Sequence, residues 1–384
     1  MGHAERTRAK RMLQLPILSE VRVMRVMRAM RPLTDQWQRT PVAPRGATLL
    51  GLSFRPLQAE ALGLDAHSTL QALLAYPFQV VRLGAYWNRI ESAPGQFYPD
   101  ELDRQLDAAE RAGKQVILNV GAVKTFGYPE FFVPAHQLQQ PLREGALVRP
   151  DDQRPLLAAA TAFVARIVER YRDRRAVVAW QVEHEAVDPL GMEHSWRLAA
   201  AFVQQEVAAV RAADPTRPIM LNGFLPTSWP VRAQQWWRTR DQGDSLSVAQ
   251  QLADIVGIDY YPRHALMTLG GRTVYLDGGR GRWHQRRRRH LFAWAAAHGR
   301  KVMVSEGQAE PWETATVPPN PGAGGMYSCL PERVIENYNQ CMRWQQDASH
   351  LYAYLFWGAE YWVVRDAGGD ARYLRAFARI LEQA

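Results

Sequence analysis

The sequence predicts a single (β/α)8 barrel, and three observations carry that prediction. Eight short apolar runs alternate with segments of helical periodicity. The runs lack the strict apolar–polar alternation of a half-exposed strand, which indicates strands buried on both faces, as in a parallel sheet. The chain has 384 residues, enough for one such barrel with extensions. We therefore assign residues 47–384 to the barrel and residues 1–46 to a basic N-terminal arm.

The predicted elements follow one another regularly along the chain. The strands are Ala47–Phe54, Gln79–Leu83, Lys114–Val120, Ala176–Val182, Pro218–Asn222, Asp254–Tyr260, Lys301–Ser305 and Leu351–Trp357. The helices are Thr69–Ala75, Pro99–Ala112, Arg154–Tyr171, Ser195–Ala213, Val248–Ala253, Arg286–His298, Pro331–Asp347 and Ala371–Glu382. The second helix illustrates the criteria, because it has acids in its first turn and Gly113 directly after it.

A doubly wound sheet is the main alternative fold. Such a sheet normally carries a glycine-rich phosphate loop after its first strand. That place reads SFRPLQAEALG here and contains no GxGxxG pattern. The barrel is therefore the preferred interpretation.

The formal net charge of +9 would suit a nucleic acid or an anionic membrane as partner. The excess is local, however, since it lies in the first 55 residues and in Arg286–Arg289, and no nucleic-acid-binding motif accompanies it. We interpret it as a solvated basic surface and expect no nucleic-acid partner. Within the arm, Val21–Met30 repeats Arg every third residue and could form a basic helix that touches a membrane. A simple arm beside the barrel is the preferred interpretation.

Cysteine and histidine usage argues against a metal centre or a disulfide framework. Cys329 and Cys341 are the two cysteines, and their spacing fits no metal cluster. His264, His284 and His290 have no partner at ligand spacing. We expect neither a cofactor nor a metal. The sequence shows no signal peptide and no run of about 20 apolar residues, so a cytoplasmic protein is expected. The oligomeric state stays open.

Two of the predicted strands run directly into carboxylates. The fourth strand ends in Glu183-His184-Glu185, and the seventh runs into Glu306. Charge at the end of a buried strand is costly unless it is paired or used. The C-terminal ends of barrel strands converge on one pocket, so this placement predicts a two-carboxylate enzyme. Glu183 is a rival acid, because it would share a face with Glu185 in an extended strand, but we prefer Glu185.

The other strand ends supply an arginine, amides and aromatic rings. Such a set suits a sugar, which offers apolar C–H faces and a rim of hydroxyls. The residues are Arg82, Tyr86, Trp87, Asn119, His184, Asn222, Tyr260, Tyr261 and Trp357, and Glu360 follows three residues after the last of them.

The order and spacing of these motifs resemble a known group of enzymes. From residue 47 onwards, the chain is similar to retaining glycoside hydrolases of the (β/α)8-barrel clan A, which includes cellulase-type, β-galactosidase-type and β-mannanase-type barrels. The segments that carry the resemblance are VVRLGAYWNRIESAPG, WQVEHE, DIVGIDYYP, VSEGQAEPW and LFWGAEYW.

The resemblance implies roles for individual residues. Glu306 would be the nucleophile and Glu185 the acid/base, with their carboxyl groups about 5–5.5 Å apart. Arg82 and Tyr261 would keep Glu306 ionised, and Trp357 would form the floor of the sugar subsite. The expected substrate is a β-linked oligosaccharide or glycoside.

Three further positions carry open alternatives. Trp87 would be a subsite wall, unless it simply belongs to the core. Glu360 matches a position at which some clan members hold the hydroxyls of a terminal sugar. His184 departs from the pattern, because the clan has an Asn there that binds the sugar 2-hydroxyl. Imidazole can also donate that hydrogen bond, but the departure keeps a non-catalytic carbohydrate-binding barrel as the alternative function.

Overall fold

The structure is a computed structural model that describes residues 35–127, 129–189, 196–269, 272–278, 281–311, 328–344 and 351–384. For 264–269 and 272–277 it describes the backbone alone. Most of the basic arm, including the predicted helix Val21–Met30, lies outside the described residues.

Eight parallel strands close into a barrel, which confirms the predicted fold. Each strand pairs with its neighbours in chain order, and the eighth pairs with the first. The barrel strands are β1 (Leu49–Ser53), β2 (Val80–Gly84), β3 (Gln115–Asn119), β4 (Val177–Gln181), β5 (Ile219–Phe224), β6 (Ile255–Tyr260), β7 (Lys301–Gln308) and β8 (Leu351–Trp357).

Helices surround the barrel and connect its strands. Those of the described residues are α1 (Pro56–Ala61), α2 (Ala66–Leu74), α3 (Trp87–Ile90), α4 (Asp100–Arg111), α5 (Arg154–Tyr171), α6 (Ala200–Ala213), α7 (Trp229–Thr239), α8 (Ser245–Leu252), α9 (Arg282–Ala297), α10 (Pro331–Met342), α11 (Ala359–Ala367) and α12 (Arg372–Gln383). Two small sheets lie outside the barrel. One pairs Leu147–Val148 with Arg197–Leu198, and the other pairs Arg263–Leu269 with Arg272–Asp277.

The barrel interior is built in layers, which explains where the polar residues sit. A buried apolar cluster joins seven of the strands and consists of Val80, Ile117, Ala179, Met220, Ile255, Met303, Ala353 and Leu355. Alternate residues of a strand share a face, so the residue two positions further along also faces inward. At those positions stand polar side chains such as Arg82, Asn119, Gln181 and Asn222. The apolar layer therefore supports a polar layer at the C-terminal end of the barrel.

The structure differs from the sequence prediction at several boundaries. The seventh strand does not end at Ser305, because β7 continues to Gln308 with an irregular register between Val304 and Glu306. The predicted helix Ser195–Ala213 begins only at Ala200. Helices α1, α3, α7 and α11 and the hairpin between β6 and α9 were not predicted.

The end of the arm is held against the barrel. Trp37 is buried, and the Tyr338 hydroxyl of α10 donates to the backbone carbonyl of Ala43 at 2.8 Å. The Asn339 side chain accepts from the Ala43 amide and donates to the Pro41 carbonyl, both at 2.7 Å. This part of the arm packs on α10 as an ordered segment.

No helix within the described ranges is both long enough and apolar enough to cross a membrane.

Candidate active site

Arg82 on β2 lies at the centre of the polar layer and is completely buried. Its Nη1 donates to Glu306 Oε1 at 2.8 Å, and its Nε donates to Gln181 Oε1 at 2.7 Å. The guanidinium lies over the Phe126 ring at 4.0 Å from the centroid. A buried cation requires such partners, because an unpaired one would lose its hydration without compensation.

Glu306 on β7 receives a donor on each of its two oxygens. Arg82 donates to Oε1 at 2.8 Å, and the Tyr261 hydroxyl donates to Oε2 at 2.6 Å. Burial and the carboxylates of Glu306 and Asp259 raise the pKa of Tyr261 well above its ordinary value, so its hydroxyl keeps the proton that it donates. Hydrogen bonds of this kind stabilise a carboxylate in its charged form. Glu306 is therefore supplied with one cationic and one phenolic donor.

The chain turns sharply after β4, and this turn separates the two rival acids. Glu183 and Glu185 have φ angles of 58° and 43°, in the left-handed region that is unfavourable for residues other than glycine. The buried Lys124 ammonium stabilises the turn by donating to the backbone carbonyls of Glu185 at 2.8 Å and Asp188 at 3.1 Å. Because the backbone is no longer extended here, strand alternation does not place the two glutamates on one face.

Glu183 points away from the other acids of the site. Its carboxylate accepts from the backbone amides of Val123, at 2.9 Å, and Lys124. It also shares a hydrogen bond with Glu206 of α6, another fully buried carboxyl group. Glu183 therefore ties the loop after β3 to the loop after β4, a structural task that leaves Glu185 as the acid nearer the polar layer.

Glu185 is held in its protonated form. Burial raises its pKa well above the ordinary value, and the charges of Asp259, Asp188 and Glu306 raise it further. Its carboxyl group also shares a hydrogen bond with Asp259 at the end of β6. The two strand-end glutamates thus differ in their surroundings, since Glu306 has cationic and phenolic donors while Glu185 has acidic neighbours.

The partners of His184 fix its tautomer. Asn222 accepts from Gln181 Nε2 at 3.0 Å and donates through Nδ2 to Asp259 at 2.6 Å, so the orientation of its amide is determined. That same Nδ2 lies 3.0 Å from His184 Nδ1, and the Arg82 Nη2 donor lies 3.4 Å from it. Glu306 Oε1 also lies 3.4 Å from Nδ1, but it already accepts from Arg82 at 2.8 Å. The two donors that face Nδ1 therefore favour Nδ1 as the acceptor, with the proton of the neutral ring on Nε2.

Electrostatics agree with a neutral imidazole. Burial lowers the pKa of His184 well below its ordinary value, and the positive charges of Arg82 and Lys124 lower it further. The ring is nearly parallel to that of Trp357, with centroids 6.5 Å apart. His184 can therefore present an Nε2–H donor beside an aromatic surface.

Trp357 is the last residue of β8, and its ring lies beside His184 and Arg55. It packs against an apolar cluster that includes Tyr261, and the Arg55 guanidinium lies 4.4 Å from its ring centroid. Arg55 is in turn bound by Glu360, whose carboxylate accepts from its backbone amide at 2.6 Å and from its Nε at 2.9 Å. Glu360 is completely buried and supports the cation beside Trp357, and its contact with a sugar stays a prediction.

Trp87 lies apart from the other predicted site residues. It is completely buried, its ring stacks on Phe163 of α5 with centroids 5.4 Å apart, and its Nε1 donates to Glu91 at 2.9 Å. The structure thus places Trp87 in the packing between helices. It brings together the predicted residues Arg82, His184, Glu185, Tyr261, Glu306 and Trp357, and Glu360 is connected to Trp357 through Arg55.

Three residues of the site were not predicted from the sequence. Gln181 bridges Arg82 and Asn222, Lys124 supports the turn after β4, and Asp259 binds the Glu185 carboxyl. A charged residue inside an apolar strand, as in DIVGIDYYP, was the signal that could have revealed Asp259.

Side-chain atoms of His184, Asp259 and Glu306 lie within 4.8 Å of one another, as metal ligands do. Both oxygens of Glu306 already accept hydrogen bonds, however, and the positive Arg82 guanidinium lies 2.8 Å from one of them. A second cation would be repelled there. We keep the expectation that the site uses no metal.

A parallel eight-stranded barrel with buried acids at its C-terminal end is the architecture of the barrel glycoside hydrolases, among other barrel enzymes. The profile of the cellulase family, glycosyl hydrolase family 5, matches residues 58–310. The chain belongs to this family and is a glycoside hydrolase. No curated protein matches the chain.

Solved structures share the barrel at low sequence identity. GH5_18 from Streptomyces cattleya in complex with GlcNAc has 14% identity and a TM-score of 0.53, over 82% of this chain and 71% of that one. An exo-β-1,4-mannosidase from Opitutaceae bacterium strain TAV5 has 14% identity and a TM-score of 0.50, over 83% of this chain and 54% of the mannosidase. Native xylanase 10B from Thermotoga maritima has 13% identity and a TM-score of 0.51, over 88% of this chain and 95% of the xylanase. These likenesses establish the fold.

Proposed function

We propose that the protein hydrolyses O-glycosidic bonds with retention of anomeric configuration, and that Glu306 is the nucleophile and Glu185 the acid/base. One observation carries the proposal. Two buried carboxyl groups stand at the end of one barrel in opposite surroundings: Glu306 accepts from Arg82 and Tyr261, as suits an anion, whereas burial among acids raises the pKa of Glu185, as suits an acid. Double displacement requires that pair of states before the first step.

The reaction would proceed in two steps. In the first, a Glu306 oxygen bonds to the anomeric carbon while the bond to the leaving oxygen breaks, and Glu185 gives its proton to that oxygen. In the second, Glu185 takes a proton from water, the water oxygen bonds to the anomeric carbon, and Glu306 leaves as a carboxylate. The Arg82 and Tyr261 donors restore the initial state by stabilising that carboxylate.

Two further residues would orient the sugar. Trp357 offers an aromatic surface for the apolar C–H face of a ring. The Nε2–H of His184 would donate to the 2-hydroxyl, a task that the neutral tautomer permits. Arg55, held by Glu360, would fix the position of the Trp357 ring. The substrate class that we propose is a β-linked oligosaccharide or glycoside.

A panel of aryl β-glycosides tests the proposal. We expect Glu306→Ala to lose activity on whichever glycoside the protein cleaves, and added azide to restore part of it by replacing the missing nucleophile. Full activity in Glu306→Ala would disprove the assignment. A non-catalytic sugar-binding barrel, suggested by His184, would instead bind a sugar saturably and turn over no member of the panel.

A further inference from the structure

Asp259 is the inward-facing acid at the C-terminal end of β6, and it is completely buried. Its Oδ1 accepts from the Ser305 hydroxyl at 2.7 Å, and its Oδ2 accepts from Asn222 Nδ2 at 2.6 Å. It pairs in register with Glu306 on the neighbouring strand and shares a hydrogen bond with Glu185. Asp259 therefore lies beside both proposed catalytic acids.

The shared hydrogen bond contains one proton between two carboxyl groups. Two carboxylates in contact away from water cannot both be ionised without a large repulsion, so the pair retains one proton. Ser305 and Asn222 are donors to Asp259, and donors favour the ionised form of the group that accepts from them. The proton accordingly belongs to Glu185, which donates it to Asp259.

We propose that Asp259 is the positioning residue of the acid/base: it accepts the Glu185 proton in a hydrogen bond, fixes the rotation of that carboxyl group and keeps it in the acid form until substrate binds. This inference rests on the function proposed above. The substrate's leaving oxygen competes for the same proton. After protonation of the leaving group, the Glu185 carboxylate faces the Asp259 carboxylate, and their repulsion makes Glu185 a stronger base toward water in the second step.

Other charged groups also face Glu185 and limit the effect of Asp259. Asp188 lies in the same loop, Glu306 lies on β7, and Tyr261 follows β6. The Lys124 ammonium, from the loop after β3, acts in the opposite direction. Since the other two acids remain when Asp259 is replaced, the replacement should weaken the retention of the proton without abolishing it.

The kinetic test compares Asp259→Asn with the unaltered enzyme over a range of pH. The Asn amide cannot repel the Glu185 carboxylate and can donate to it, so the basic limb of the kcat/KM profile should move to lower pH by about one unit, a loss of about tenfold in kcat/KM on that limb. Glycosides with poor leaving groups, which need protonation, should lose more than glycosides with activated phenols. A basic limb that stays in place, or an equal loss on both substrate types, would overturn the inference.

A second measurement requires no turnover, so it separates this inference from the proposed function. Infrared difference spectra over a pH titration report the C=O stretch of a protonated carboxyl, and Glu185→Gln identifies the band of Glu185. In Asp259→Asn that band should disappear at a lower pH than in the unaltered protein. The matched control is Glu206→Gln, which removes a buried carboxyl from the pair with Glu183 and should leave the Glu185 band in place. An unchanged band in Asp259→Asn would refute the inference even if the protein cleaves no glycoside tested.

Discussion

Replacing Arg82 by Met tests how the nucleophile is held. Arg82 is completely buried and makes two short hydrogen bonds, to Glu306 at 2.8 Å and to Gln181 at 2.7 Å. Hydrogen bonds to a charged group contribute about 1.5–3 kcal/mol each. Two of them give about 3–6 kcal/mol, which agrees with the ~3–5 kcal/mol lost when one partner of a buried ion pair is removed. Met would retain the contact with the Phe126 ring, so the loss reports the polar contacts.

Urea denaturation followed by tryptophan fluorescence measures this loss. We expect the free energy of unfolding of Arg82→Met to fall by about 3–5 kcal/mol, which is a large part of the 5–15 kcal/mol that stabilises an ordinary domain. Arg89→Met is the matched control, because Arg89 also contacts two carboxylates, Glu60 at 3.1 Å and Glu101 at 3.2 Å, but its side chain is 43% exposed. The control should lose less than about 1 kcal/mol. Equal losses in the two variants would refute the reasoning.

The remaining predictions concern protonation and sugar recognition. Because the pKa of Glu185 is raised by burial and by acidic neighbours, the basic fall of kcat/KM should come above the pH at which an ordinary Glu loses its proton. A basic fall at the ordinary pKa of Glu would contradict the assignment. His184→Ala should reduce the preference for a 2-hydroxy over a 2-deoxy glycoside by about tenfold, the value of one hydrogen bond of ~1.4 kcal/mol, and an unchanged ratio of kcat/KM would exclude that contact. Burial and the Glu183 carboxylate raise the pKa of Glu206, so its contribution to stability is fully present below the unfolded-state pKa and is lost as pH rises through the folded-state pKa. Urea midpoints measured across pH should therefore vary less in Glu206→Gln than in the unaltered protein, and parallel curves would argue against the buried acid pair.

The barrel could be predicted from sequence because its strands are apolar on both faces and are separated by helices of normal length. Strand ends could be predicted less well. β7 continues past Ser305 through an irregular register that no residue type announces, so Glu306 stands within the strand instead of after it. Helix α7 escaped prediction because its exposed Trp229, Trp236 and Trp237 do not mark a buried face.

The composition of the site could be predicted more completely than its contacts. Arg82, Tyr261 and Glu306 meet as expected, because the C-terminal ends of β2, β6 and β7 converge. The packing role of Trp87 could not be predicted from sequence, since a buried Trp that stacks on Phe163 and a Trp that stacks on a sugar are the same residue type. The choice between Glu183 and Glu185 depends on two left-handed backbone conformations, which the residue types themselves do not favour.

The most direct test of the central claim is to trap the sugar on the protein. An activated 2-deoxy-2-fluoro glycoside of whichever sugar the enzyme cleaves would be incubated with the protein, and the labelled peptide would be identified by mass spectrometry. We predict one sugar per chain, attached to Glu306 within the β7 sequence KVMVSEGQ and lost when the chain carries Glu306→Gln. Attachment to a different carboxylate, or hydrolysis with inversion of configuration and no label, would contradict the account.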